Sequence, residues 1–253
     1  MDVVIAVFQK YDLVLAFAVI GAVMYLSHLF CDKVLNGKIH GSALAIFIGL
    51  VMAYFGGVYS GGHHGISDLK GFSGLSIMGG SMLRDFSIVA TAYGVDVKKI
   101  MHVGLSGIVS LFLGLLISFL CGAVVAFAFG YTDAVSITTI GGGAVTYIVG
   151  PVTGAALGAS SEVIALSITA GLAKSILTMV ATPMVAASIG LNDPKSAIVF
   201  GGLLGTTSGV AAGLAATDIK LVPYGTMIAT FYTGLGCLLV PSVFFLTVRA
   251  LIG

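Results

Sequence analysis

Eight apolar stretches follow one another along the chain with only short polar connections, at 12–31, 42–60, 72–93, 102–129, 136–158, 162–189, 196–216 and 225–250. About 20 such residues cross the hydrocarbon core of a bilayer as a helix. Only 8% of the residues are charged, where a soluble domain carries roughly 25%. That is too little charge to cover a water-facing surface. The expected fold is an all-α polytopic membrane protein of about eight segments, with 1–253 forming a single transporter domain. A net charge of +1 leaves no basic footprint for nucleic acid. Cys31, Cys121 and Cys237 are scattered and form no disulfide framework or C-x-x-C pair. The first residues, MDVVIAVFQKYD, lack a basic n-region, so no cleavable signal peptide is expected.

One stretch does not fit a plain span. Residues 141–162 read GGGAVTYIVGPVTGAALGASSE. Glycine costs a helix about 1 kcal/mol relative to alanine, and proline about 3. At membrane depth, non-helical backbone survives only inside protein or along a wet cavity. Gly150, Gly154 and Gly158 have small-xxx-small spacing, which suits close helix packing. Pro151 suits the first turn of a half-helix. Its amide end, with Thr153 and Gly154, would favour an anion. Ser160, Ser161 and Glu162 read as an N-cap with an acid in the first turn. Whether 136–158 crosses the membrane or turns back stays open.

A second stretch, FGGLLGTTSGVAAGLAATD at 200–218, repeats glycine every four residues and carries three consecutive hydroxyls, Thr206, Thr207 and Ser208. Glycine spacing explains packing but not the hydroxyls. A break at Gly205–Gly209 would free oxygens of the kind sodium needs. Gly142 and Gly143 are the corresponding candidates in the first stretch. A weak internal repeat pairs 72–129 with 196–250, parallel if 136–158 crosses and inverted if it turns back.

Ionised groups at membrane depth are functional candidates because burying them unpaired is costly. Arg84 lies on a polar stripe with Ser73, Ser76, Gly80, Ser87 and Thr91, suited to clamping a carboxylate. Asp85 beside it suits a cation or a proton. Lys174 is the only basic residue in 162–189. It suits an anionic substrate, or a structural pairing. Glu162 is either a helix-start acid or a coupling carboxylate. His63 and His64 sit in a loop with no further metal ligands in evidence.

SGGHHGISDLKGFSGLSIMGGSMLRDF (60–86), GGGAVTYIVGPVTGAALGASSEVIALSITAGLAKSI (141–176) and FGGLLGTTSGVAAGLAATDIKLVPYG (200–225) resemble the large membrane subunit of the bacterial malonate:sodium symporter, the MadM type. More distantly, 150–216 resembles the LrgB/CidB family. That family has Ser-His where this chain has Thr207-Ser208-Gly209, so its site chemistry does not carry over intact. The resemblance implies sodium-coupled malonate import, with a small MadL-type partner subunit in a heteromeric complex of the bacterial inner membrane. No cofactor beyond the coupling ion is expected, and with no HExxH, GxSxG or paired catalytic carboxylates in the sequence no enzyme activity is expected either. An elevator-like architecture with alternating access around broken helices is the matching expectation. A carboxylate channel or holin-like pore is the alternative. Substrate candidates are Arg84, Pro151, Thr153, Gly154, Ser160, Ser161, Lys174, Thr206, Thr207 and Ser208. Sodium candidates are Asp85, Gly142, Gly143, Glu162 and Gly205.

Overall fold

The computed structural model describes residues 10–36, 41–61, 65–69, 71–77 and 104–252. Arg84, Asp85, His63 and His64 lie outside them, as does most of the expected span 72–93. The chain divides into two compact units, Met1–Tyr93 and Gly94–Gly253. Among the described residues, five helices are long and apolar enough to cross a membrane. Their outer faces are greasy: Leu105 is 78% exposed and Phe127 61% exposed. This is the pattern of a multi-pass membrane protein, whose lipid-facing side chains need not be polar.

The first unit contains α1 (Asp12–Lys33), α2 (Gly41–Ser60), a 3-10 turn at Gly65–Asp68 and the short α3 (Gly74–Ile77). Glycines set its packing distances. A Cβ on Gly41 would lie 2.5 Å from the His28 ring, and one on Gly56 2.6 Å from the Ile66 backbone. The Ser73 hydroxyl donates to the Asp12 carboxylate at 2.7 Å, fastening the start of α3 to the start of α1.

The second unit holds α4 (Gly104–Ala128), α5 (Ala134–Val145), α6 (Val149–Leu157), α7 (Ser161–Val185), α8 (Pro194–Leu204), α9 (Thr207–Ala215) and α10 (Val222–Leu239). A π turn at Val240–Phe244 carries α10 into α11 (Phe245–Ile252). Pro241 falls in that turn, where its missing N–H breaks the regular ladder. Pro183 lies inside α7, which ends two residues later.

Neither 136–158 nor 196–216 is a span. Twelve residues in α5 and eleven in α8 reach about 16–18 Å, roughly half of a 30 Å hydrocarbon core. Each is the first arm of a helical hairpin. In the first hairpin a Cβ on Gly150 would lie 2.8 Å from the Gly143 Cα, and one on Gly154 2.9 Å from the Thr139 methyl. That pairing is antiparallel, so the stretch turns back. In the second hairpin α8 and α9 open into a V around α10. A Cβ on Gly225 of α10 would be 3.0 Å from Val210 in one arm and 3.3 Å from the Ala197 carbonyl in the other. The expectation that 196–216 crosses is corrected: the break at Gly205–Thr206 reverses the chain instead of only interrupting it.

The hairpins start alike. Asp133 accepts the Ser136 amide at 2.8 Å. Asp193 accepts the Lys195 and Ser196 amides at 2.6 and 3.0 Å, and Ser196 returns the bond in a capping box. A shift of 60 residues superposes Asp133, Ser136, Gly141, Gly142 and Thr146 on Asp193, Ser196, Gly201, Gly202 and Thr206. Within the second unit, hairpin plus long helix therefore recurs at 134–185 and 194–252, a different pairing from the expected 72–129 with 196–250, whose first member lies partly outside the described residues. The hairpins begin at opposite ends of α7, so the two units are inverted.

Candidate functional site

Contacts along α7 show where the hairpin tips lie. Ile164 packs on Gly154 and Ser167 on Gly150, out along α6, and Gly171 meets the Tyr147 backbone at the first tip. Four residues further on, the Ser175 hydroxyl meets the Thr206 hydroxyl at the second tip. Thr178 and Thr182 then follow α9 outward past Gly209 and Gly213. Tips entering from opposite sides thus meet beside Gly171–Ser175, the middle of a 25-residue helix. Helix α10 passes the same two points in reverse: Tyr232 lies against Gly205, Gly236 against Val145 and Val149, and Val240 against Gly142.

At each tip one arm ends and the next begins. Each tip therefore presents the negative end of one helix dipole and the positive end of another to the centre. Such paired half-helix ends are the means by which transporters hold an anion and a cation side by side.

The two tips are finished differently. At the first, the Thr146 hydroxyl accepts from the Ile148 and Val149 amides at 3.3 and 3.1 Å and so caps α6. The Val145 carbonyl, at the end of α5, accepts from the Lys174 ammonium at 3.0 Å. At the second, Thr206 precedes α9 without capping it. The Ser208 hydroxyl is buried with no hydrogen-bond partner, and the Thr153 and Thr138 hydroxyls in the first hairpin are likewise unsatisfied. Unpaired buried hydroxyls are costly, and they mark places where a ligand can be received.

Lys174 sits between the tips. Its ammonium donates to Ser118 Oγ at 2.8 Å, to the Val145 carbonyl at 3.0 Å and to the Tyr232 hydroxyl at 3.4 Å. It also lies 5.2 Å from the centroid of the Tyr232 ring. Three donors meet three oxygens, so this lysine is held by protein; its charge reaches the centre as a field. A cavity of about 570 Å³ runs along α7 from Lys174 past Thr178 and Thr182, with Phe200 and Leu204 as its far wall.

The other sequence candidates divide by position. Thr206, Thr207 and Ser208 are at the second tip, and Pro151 and Thr153 are in the first two turns of α6. The Gly142 carbonyl is not freed by the break: it accepts from the Thr146 amide at 3.1 Å. A Cβ on Gly143 would strike the Ser167 carbonyl, so this glycine lets α7 approach. Ser160 caps α7, accepting from the Val163 amide at 3.3 Å. Ser161 and Glu162 are exposed in its first turn, at the base of the hairpin and some 12 residues from Lys174. Gly158 does not belong to a packing seam. It ends α6 with φ at +72°, and a Cβ added there would meet nothing within 4 Å. Thr146, Ser118, Ser175 and Tyr232 escaped sequence reasoning. The match of Thr146 to Thr206 under the 60-residue shift was the available signal for the first.

Among the described residues, no three histidine, cysteine or carboxylate side chains come together as a metal centre. No curated protein and no solved structure matches the chain. A family model, described as the malonate/sodium symporter MadM subunit, matches residues 4–252. With nearly its whole length matched, the chain belongs to the MadM family of malonate/sodium symporter subunits.

Proposed function

We propose that this subunit moves malonate together with sodium by alternating access around the two hairpin tips. The observation that carries the reading is the meeting of opposed tips beside Lys174 and Ser175. A dicarboxylate needs amides or cations for its two charges, and the start of α9 at Thr207 and Ser208 offers free helix-end amides beside an unused hydroxyl. A sodium ion needs hard oxygens, and the Ser175 and Thr206 hydroxyls meet at the same tip. Lys174 adds positive field without leaving its protein partners. Short arms packed through glycine can shift as a body against neighbouring helices, which suits an elevator-like movement. The assignment assumes a small MadL-type partner, a place in the inner membrane, and no bond-breaking chemistry.

The test is uptake of labelled malonate by proteoliposomes containing the subunit and its small partner. Saturable uptake that rises with an inward sodium gradient is expected. Flux that ignores sodium and does not saturate would replace the symporter by a pore.

A further inference from the structure

The repeat makes one difference between the tips informative. At the first tip, the last carbonyl of α5 faces the centre and carries the negative end of that helix. The Lys174 ammonium binds it, and its two other contacts are also neutral oxygens, those of Ser118 and Tyr232. No carboxylate pairs with Lys174 among the described residues. A cation held by a carbonyl, a hydroxyl and a phenol has the ligand set of an alkali ion at a broken helix. Helices α7 and α10 match with a shift of 61, since Ile164 against Gly154 corresponds to Gly225 against Leu214, where 214 is 154 moved by the hairpin shift of 60. The same shift puts Leu235 in the place of Lys174. The second tip therefore has no repeat-related ammonium.

We infer that Lys174 is a tethered cation standing where a coupling ion would otherwise bind, so that the first tip keeps its positive charge through the cycle and only the second exchanges sodium with water. Lys174 is thus a positioning residue that fixes the number of ions carried per substrate. It is not a malonate ligand, because its donors are already filled. This rests on the sodium-coupled reading above.

The test compares wild type with Lys174→Met and Lys174→Arg, each reconstituted with the small partner. Methionine keeps the volume and removes the ammonium. Expected for Lys174→Met is uptake that survives at high sodium, with a steeper sodium dependence and one more sodium carried per malonate, read from the reversal potential. Lys174→Arg is expected to restore the wild-type ratio. A second measurement needs no transport: in detergent, sodium chloride should raise the Tm of Lys174→Met by about 3 °C more than choline chloride does, with a smaller difference in wild type. A folded, monodisperse Lys174→Met with the wild-type ratio and no added sodium stabilisation overturns the inference. So does folded Lys174→Met that takes up no malonate at any sodium concentration, which would make the lysine a substrate ligand. Wild-type uptake indifferent to sodium would remove the symport reading instead, while the detergent comparison would still report on Lys174.

Discussion

The Tyr232 ring fills the space that a side chain on Gly205 would need. Gly205 ends α8 with φ at +66°, and Tyr232 is fully buried. The tyrosine hydroxyl continues past the tip, accepting from Lys174 and donating to the Gly114 carbonyl at 3.0 Å. One side chain thus joins the second tip, the lysine at the first and α4. At the other tip the glycine is on the long helix, where Gly171 lets the Tyr147 backbone approach.

Gly205→Ala should destabilise the second unit. The methyl group meets the ring, a clash of about 1–3 kcal/mol, and the left-handed backbone adds about 1–2 kcal/mol for a residue with a Cβ. Tyr232→Leu in the same chain should relieve the clash but not the backbone strain. Thermal unfolding in detergent of both single variants and the double variant measures the coupling. Additive effects would mean that the ring and the glycine do not press on each other.

The glycines of α7 and α10 separate packing need from mere composition. A Cβ on Gly171 runs into the Tyr147 backbone, whereas one on Gly234 meets nothing within 4 Å. Gly171→Leu should abolish a monodisperse gel-filtration peak, and Gly234→Leu should leave it in place. Equal tolerance at the two positions would contradict the close approach of α7 to the first tip.

Much of this was legible in the sequence. Apolar length located the long helices, and Ser160, Asp193 and Pro151 marked helix starts for reasons of capping and backbone geometry. The direction of the chain after a break was not legible. Glycine and proline show that a helix stops, but hydrophobicity on either side is the same whether the chain continues or returns. The inverted pairing was written as Asp-x-x-Ser followed by Gly-Gly and Thr, yet all five of those residues are small or polar, and such residues are common in a glycine-rich chain. Lys174 was singled out by its charge. Its partners come from α4, α5 and α10, so nothing local to position 174 could identify them.

Thr146 and Thr206 occupy equivalent places but should fail differently. Thr146→Val removes the cap of α6, which costs about 0.5–2 kcal/mol; the Tm should fall and the sodium half-saturation of uptake should hold. Thr206→Val removes a hydroxyl that caps nothing and faces Ser175. Its sodium half-saturation should rise about tenfold, the equivalent of losing one charge-assisted contact of about 1.4 kcal/mol. Uptake against sodium concentration, measured on both variants at matched protein incorporation, decides this. If the Thr206→Val curve superposes on wild type, the second tip is not the sodium site.

Acid should loosen the base of the first hairpin through Asp133. Burial works to raise the pKa of this carboxyl, but hydrogen bonds from the Ser136 amide and hydroxyl and from neighbouring amides outweigh it and hold the group below its usual range. A carboxyl with a depressed folded-state pKa contributes stability above its unfolded pKa of about 3.9, and that contribution is lost as pH falls through the lower folded value. The Asp133 share of stability is therefore constant from neutral pH down to about pH 5 and declines below about pH 4. Asp133→Asn can accept the same amide bond, since asparagine caps about as well as aspartate, but it does not titrate. Thermal midpoints of wild type and Asp133→Asn, measured from pH 7 to pH 3, should run parallel above about pH 5 and converge or cross below about pH 4, with the variant the less acid-sensitive of the two. Curves that stay parallel through the acid range would show that the Asp133 carboxylate adds nothing through its charge to the start of α5.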